Sequence, residues 1–205
     1  RTDIKLFESI RETGKIAIFL NEGDELVDVK HTDGHALIGI ASSLGKMVKF
    51  HETDARSMGR TAMGVKAMSL DGGKVVGVTT SEEGKYILVL TNNGYGKMSL
   101  ADDYRLTKRG AKGVLTINTT DKNGKLVALR AVNGDEDLMI ITANGTIIRI
   151  PLEQVKVAGR NTQGVRGIRL DGRQKVVSIA IVPHEENGVA EEKSNGSEEE
   201  ENVAI

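Results

Sequence analysis

The chain has 205 residues, 39% of them hydrophobic, with 24 Gly, 2 Pro and no Cys. Without cysteine there are no disulfides and no thiolate metal sites, and no apolar run approaches the roughly 20 residues of a membrane-spanning helix. The net charge of -1 hides an imbalance: residues 183–205 hold eight Glu against Lys193, a charge of -7, which leaves +6 on residues 1–182. A basic body with an acidic tail points to a polyanionic partner.

Arg1-Thr2-Asp3-Ile4 shows no signal-peptide character, so a cytoplasmic location is expected. The lack of an initial Met reads as a piece of a longer chain. Lys5-Leu6-Phe7 reads as the last strand of a unit that began earlier, followed by a loop with Arg11 and Lys15. Next come apolar strands at 16–20, 25–29, 36–40 and 46–50, separated by turn signals at Glu22-Gly23 and Ser43-Leu44-Gly45. Short β-branched runs between glycine-containing turns predict strands.

The pattern then restarts. A basic loop with Arg56 and Arg60 leads to strands at 65–68, 74–78, 86–90 and 97–100, with turns at Asp71-Gly72 and Asn93-Gly94. Another loop with Arg105, Lys108, Arg109 and Lys112 leads to strands at 114–117, 125–129, 137–141 and 146–150, with turns at Asn123-Gly124 and Asn144-Gly145. A final loop with Lys156 and Arg160 leads to strands at 165–168 and 175–179 around Asp171-Gly172. The repeats open at Lys15, Gly64, Gly113 and Gly164, in steps of 49, 49 and 51. Aligned strings within them are Gly45-Lys46-Met47, Gly96-Lys97-Met98 and Gly145-Thr146-Ile147. Four strands at a period of about 50 residues is the arithmetic of a propeller-type blade. The predicted fold is all-β, a repeated array over 1–182, with a disordered acidic tail at 183–205.

Recurrence gives the loops their functional meaning. Equivalent loops fall on one side of a stacked array, so Lys46, Lys49, Arg56, Arg60, Lys66, Lys97, Arg105, Lys108, Arg109, Lys112, Arg149, Lys156, Arg160, Arg166 and Arg169 form a candidate phosphate-binding belt. Glycines at 59, 64, 110, 113, 159 and 164 would allow backbone N–H groups to approach phosphate oxygens. Three Phe and three Tyr are too few for base-stacking platforms, so double-stranded nucleic acid is the expected partner. Bending a stiff duplex costs about 1–6 kcal/mol for a site of 20–30 bp, a reason to spread contacts over many blades. Other constellations are weak. His31 and His35 flank a turn, Asp102-Asp103 reads as a loop or cap, and Tyr86, Tyr95 and Tyr104 lack a nearby base.

Ala158-Gly159-Arg160-Asn161-Thr162-Gln163-Gly164-Val165, Ser57-Met58-Gly59-Arg60-Thr61 and Asn92-Asn93-Gly94-Tyr95-Gly96-Lys97 closely resemble the C-terminal domain of the DNA gyrase A subunit. The resemblance covers nearly all of residues 1–182. It implies a β-pinwheel, a propeller-like disc whose blades exchange strands, with duplex DNA wrapped around its rim. It further implies a bacterial, nucleoid-associated setting. ATP-dependent negative supercoiling would need the rest of the dimeric gyrase A protein together with the gyrase B protein. No catalytic residue, cofactor or metal is carried over to this chain; ATP and Mg belong to other parts of the holoenzyme. The family's Gln-Arg-Arg-Gly-Gly-Lys-Gly box is absent, and Lys108-Arg109-Gly110-Ala111-Lys112-Gly113 looks like a degenerate copy. The chain thus looks like the last four units of such a domain. The related C-terminal domain of the topoisomerase IV A-type subunit, or else a protein-interaction propeller, is the alternative.

Overall fold

A computed structural model describes residues 1–9, 12–172 and 174–184. Arg11 and the tail from residue 185 onward lie outside the described residues. The strands in chain order are β1 (Leu37–Ser42), β2 (Lys46–His51), β3 (Val75–Thr80), β4 (Tyr86–Thr91), β5 (Tyr95–Leu100), β6 (Val114–Leu115), β7 (Leu126–Val132), β8 (Asp137–Thr142), β9 (Ile147–Pro151), β10 (Val165–Arg166) and β11 (Val176–Val182). β1–β2, β4–β5 and β8–β9 are hairpins whose turns place Gly45, Gly94 and Gly145 at φ of 75°, 80° and 85°. That left-handed backbone is open to glycine because it has no Cβ.

These strands form three antiparallel sheets, ordered β3-β1-β2-β6, β10-β5-β4-β7 and β11-β8-β9. Each sheet is assembled from successive repeats rather than from one. The first takes its central hairpin from the repeat opening at Lys15, β3 from the next repeat, and β6 from the one after. The second follows the same rule one period later, with β7 and β10 as the borrowed strands. The blades are therefore laced together by strand exchange, and the two-residue strands β6 and β10 are the lacing.

The core lies between the sheets and follows the period-two alternation of a strand. On β4, Ile87 and Val89 pack with Ala41, Met47, Ile117 and Leu129 toward the first sheet. Leu88 and Leu90 on the same strand pack with Leu138, Ile140 and Val176 toward the third. A strand buried on both faces reads as a continuous apolar run, and the sequence 86–90 is one.

Three sequence expectations change here. Lys5-Leu6-Phe7 lies in a single 3-10 turn, Ile4–Phe7, and not in a strand. Residues 16–20, 25–29 and 65–68 belong to no β ladder. Their counterparts pair one or two repeats back, and the described residues hold no partner at that distance. The third change is a register shift. The turn glycine equivalent to Gly45 is Gly94, not Gly96, so Lys97 opposes Val89 just as Val48 opposes Ile40 and Ile148 opposes Ile140.

Candidate nucleic-acid interface

The three basic loops leave their sheets by the same stem. After β2, β5 and β9 the chain makes single 3-10 turns at Glu52–Asp54, Ala101–Asp103 and Leu152–Gln154. Each closes on one hydrogen bond, from the N–H of Ala55, Tyr104 or Val155 to the carbonyl of Glu52, Ala101 or Leu152, at 3.0, 3.3 and 2.9 Å. Those three donor residues then return to extended backbone, with φ/ψ of -94/110, -93/103 and -83/124. Equal stems aim equal successors. Arg56, Arg105 and Lys156 come next, all exposed, and among the described residues none has an ion pair or a side-chain hydrogen bond.

Each stem is held by a different buried side chain. Glu52 accepts hydrogen bonds from Thr32 Oγ1, Gly34 N and Ala36 N at 2.8, 2.9 and 2.9 Å. Burial opposes its charge, but these donors and Arg1 outweigh that and hold the carboxyl below its ordinary pKa. Tyr104 is anchored through its hydroxyl to Thr116 Oγ1 at 2.5 Å, and burial raises its pKa. Leu152 is simply packed in the core.

Four residues beyond each exposed cation stands a half-buried arginine. Arg60, Arg109 and Arg160 donate from Nη1 to the carbonyls of Ile16, Lys66 and Leu115 at 2.6, 2.6 and 2.9 Å. Arg109 Nε also donates to the Asp54 carbonyl at 3.2 Å, and Arg160 lies 5.6 Å from the centre of the Tyr104 ring. A main-chain bond runs beside each arginine: the N–H of Phe19, Ser69 and Asn118 donates to the carbonyl of Ala62, Ala111 and Thr162 at 3.3, 2.9 and 3.0 Å. Every loop is thus tied twice to the first segment of the repeat that it closes.

The other candidate residues are divided by their surroundings. Lys66, Lys108 and Arg169 are exposed and have no side-chain partner among the described residues. Lys46 and Lys112 lie 3.7 and 3.8 Å from Asp71, whose pKa is lowered first by the Ser69 hydroxyl and then by these cations. Lys49 donates to the Ala101 carbonyl at 2.8 Å. Arg149 pairs with Asp137 at 2.7 Å and donates to the Pro183 carbonyl at 3.0 Å. Arg166 donates to Tyr95 Oη at 2.9 Å and stacks over that ring.

Lys97 does not belong to a surface belt. It is 0% exposed, and its ammonium donates to the Gly159 carbonyl and, at 2.6 Å, to the Arg160 carbonyl. Burial, with Arg160 nearby, brings its pKa down to about 8. Gly113 and Gly164 also serve the fold. A Cβ on either would lie 2.5 Å from the Met47 carbonyl or 2.8 Å from the Gly96 carbonyl, so these glycines let β6 and β10 reach the neighbouring sheet. Sequence reasoning missed Lys122, 5.9 Å from the Tyr95 ring that Arg166 also covers. Its place beside the Asn123-Gly124 turn was the available signal. Among the described residues no three His, Asp or Glu come together as a metal site.

Known proteins agree with this architecture. A family model described as the DNA gyrase C-terminal domain, beta-propeller, matches residues 1–33, 40–82, 85–133 and 136–183. The DNA gyrase A subunit of Ureaplasma parvum is 47% identical over 182 residues, covering 88% of this chain and 22% of that protein. Its Staphylococcus aureus counterpart is 41% identical over 202 residues, covering 97% and 22%. The chain thus spans about a fifth of the length of these relatives. A solved DNA gyrase A C-terminal domain superposes with a TM-score of 0.75 at 25% identity, covering 83% of this chain and 59% of that one. The C-terminal domain of a DNA topoisomerase IV superposes with a TM-score of 0.82 at 22% identity over 89% and 58%, a likeness of fold. With its repeated blades, exchanged strands and loop pattern, the chain belongs to the DNA gyrase C-terminal domain family.

Proposed function

We propose that this chain is the duplex-wrapping part of a bacterial type IIA topoisomerase, within a gyrase A protein, and that it bends DNA along its basic loops without chemistry of its own. The observation that carries this reading is the exposed cation, without a side-chain partner among the described residues, presented three times on the same stem, at Arg56, Arg105 and Lys156. Repeated cations on a rigid frame supply the sequence-independent phosphate attraction of duplex binding. Lys66, Lys108 and Arg169 extend that set; Lys46, Lys112 and Arg149, paired with carboxylates, and Lys49 and Arg166, hydrogen-bonded to neutral groups, stand as a second line. In the holoenzyme the wrapped segment would be presented for strand passage by the remainder of the gyrase A protein with the gyrase B protein, which would supply ATP and Mg chemistry. The acidic tail would compete with DNA for the same cations.

Two measurements test this. Affinity for a linear duplex should fall steeply with salt, and the chain should constrain writhe in a relaxed plasmid. Salt-indifferent binding would favour a protein-interaction propeller instead.

A further inference from the structure

We infer that Arg60, Arg109 and Arg160 are positioning residues: they set the angle between neighbouring blades, and so the curvature offered to a duplex, while Arg56, Arg105 and Lys156 meet the phosphates. This rests on the duplex-wrapping reading above.

The loop that carries Arg160 is sewn along β5 of the second sheet. Met98 N donates to the Lys156 carbonyl at 3.0 Å, Ala158 N to the Met98 carbonyl at 2.8 Å, and Ser99 Oγ to the Ala158 carbonyl at 2.7 Å. The carbonyl that Arg160 reaches belongs to Leu115, in β6 of the first sheet. Arg160 is therefore a strut between two sheets on their loop side. Arg109 makes the equivalent bond from a loop sewn to β2 by the Thr107 N–H on the Lys49 carbonyl at 2.7 Å, but the Lys66 carbonyl it reaches stands at the position of Leu115 one period earlier and outside the ladders of the described residues. Arg60 reaches the Ile16 carbonyl a period earlier still, likewise outside those ladders. A blade-to-blade angle set identically in each repeat accumulates along the array.

The side-chain chemistry fits a strut better than a phosphate ligand. The guanidinium is a planar fork that holds carbonyls at fixed directions, which a lysine ammonium does not. Arg109 already spends both Nε and Nη1 on the main chain, and Arg160 has one face over an aromatic ring. Among the described residues the exposed triplet has no such commitments.

The test uses the whole chain. Arg109→Lys and Arg160→Lys, alone and together, keep the charge and remove the fork. They should leave the affinity for a short linear duplex within about twofold and its salt dependence unchanged. They should also lose about half of the writhe constrained in a relaxed plasmid, since curvature is what they hold. Arg105→Ala should instead reduce the steepness of log K against log salt by about 0.9, one phosphate contact. Wild-type protein gives a readout that does not depend on variants folding. Under phenylglyoxal, Arg56 and Arg105 should react quickly and become protected on DNA, whereas Arg60, Arg109 and Arg160 should react slowly with or without DNA. The inference is overturned if Arg109 is reactive in free protein and protected only by DNA, or if Arg109→Lys retains full writhe. Absence of salt-dependent binding by wild-type protein would instead defeat the duplex reading, and the inference with it.

Discussion

Lys97 shows how one register step decides what a basic residue does. Its equivalents Val48 and Ile148 need no partners, whereas Lys97 is buried and donates to two carbonyls of the loop it supports. Removing its charge should therefore not touch DNA binding: Lys97→Met is expected to keep the wild-type salt dependence in a duplex titration. Its pH behaviour is a separate test. The folded value of about 8 lies below the unfolded value of 10.5, so the unfolded chain holds the proton more tightly between the two. Stability from this group should rise as pH climbs from about 8 toward 10.5. Comparing melting temperatures of wild type and Lys97→Met across that range should show the rise only in wild type. At the other end of the chain, His184 Nδ1 lies 2.7 Å from Asp137 Oδ1. That hydrogen bond, with the carboxylate charge, raises the His184 pKa. Its contribution to stability is full below pH 6.5 and is lost as pH rises through the raised value. Asp137, lowered first by the same bond and also by Arg149, contributes above its ordinary value and loses this as pH falls. An NMR titration of His184 should give a midpoint above 6.5, and Asp137→Asn should bring it back toward that value.

At the scale of elements, the exchange strands carry the sharpest prediction. Gly145 has φ 85° and nothing within 4 Å of an added Cβ, so Gly145→Ala should cost only the left-handed strain of about 1–2 kcal/mol. Gly164→Ala adds a Cβ 2.8 Å from the Gly96 carbonyl at the β10–β5 junction, and denaturant unfolding should show a clearly larger loss. The hairpins around Gly45, Gly94 and Gly145 were legible because turn signals and β-branched runs are local. The exchange was not. β6 and β10 have two residues each, too short for any periodicity, and they pair with strands some 70 residues away along the sequence. The site was half legible for the same reason. Composition and recurrence gave the cations, but whether a cation is exposed, as at Arg105, or committed to a carbonyl, as at Arg109, depends on contacts about 43 residues apart.

For the whole molecule, the proposed function makes curvature a binding term. Bending a straight duplex costs about 1–6 kcal/mol over 20–30 bp. An intrinsically curved duplex of equal length should then bind roughly tenfold more tightly than a straight one, by competition at fixed salt. Equal affinities would mean that the loops hold DNA without bending it. The interlaced sheets have a different consequence, for damage. Lys108 is exposed between β5 and β6, so a protease that cuts there divides the polypeptide in two. Yet β1, β2 and β3 would remain in one ladder with β6 from the other piece, and β4 and β5 with β7 and β10. The nicked chain should keep its mass on a sizing column and come apart only in denaturant, as a plait holds after one strand is cut.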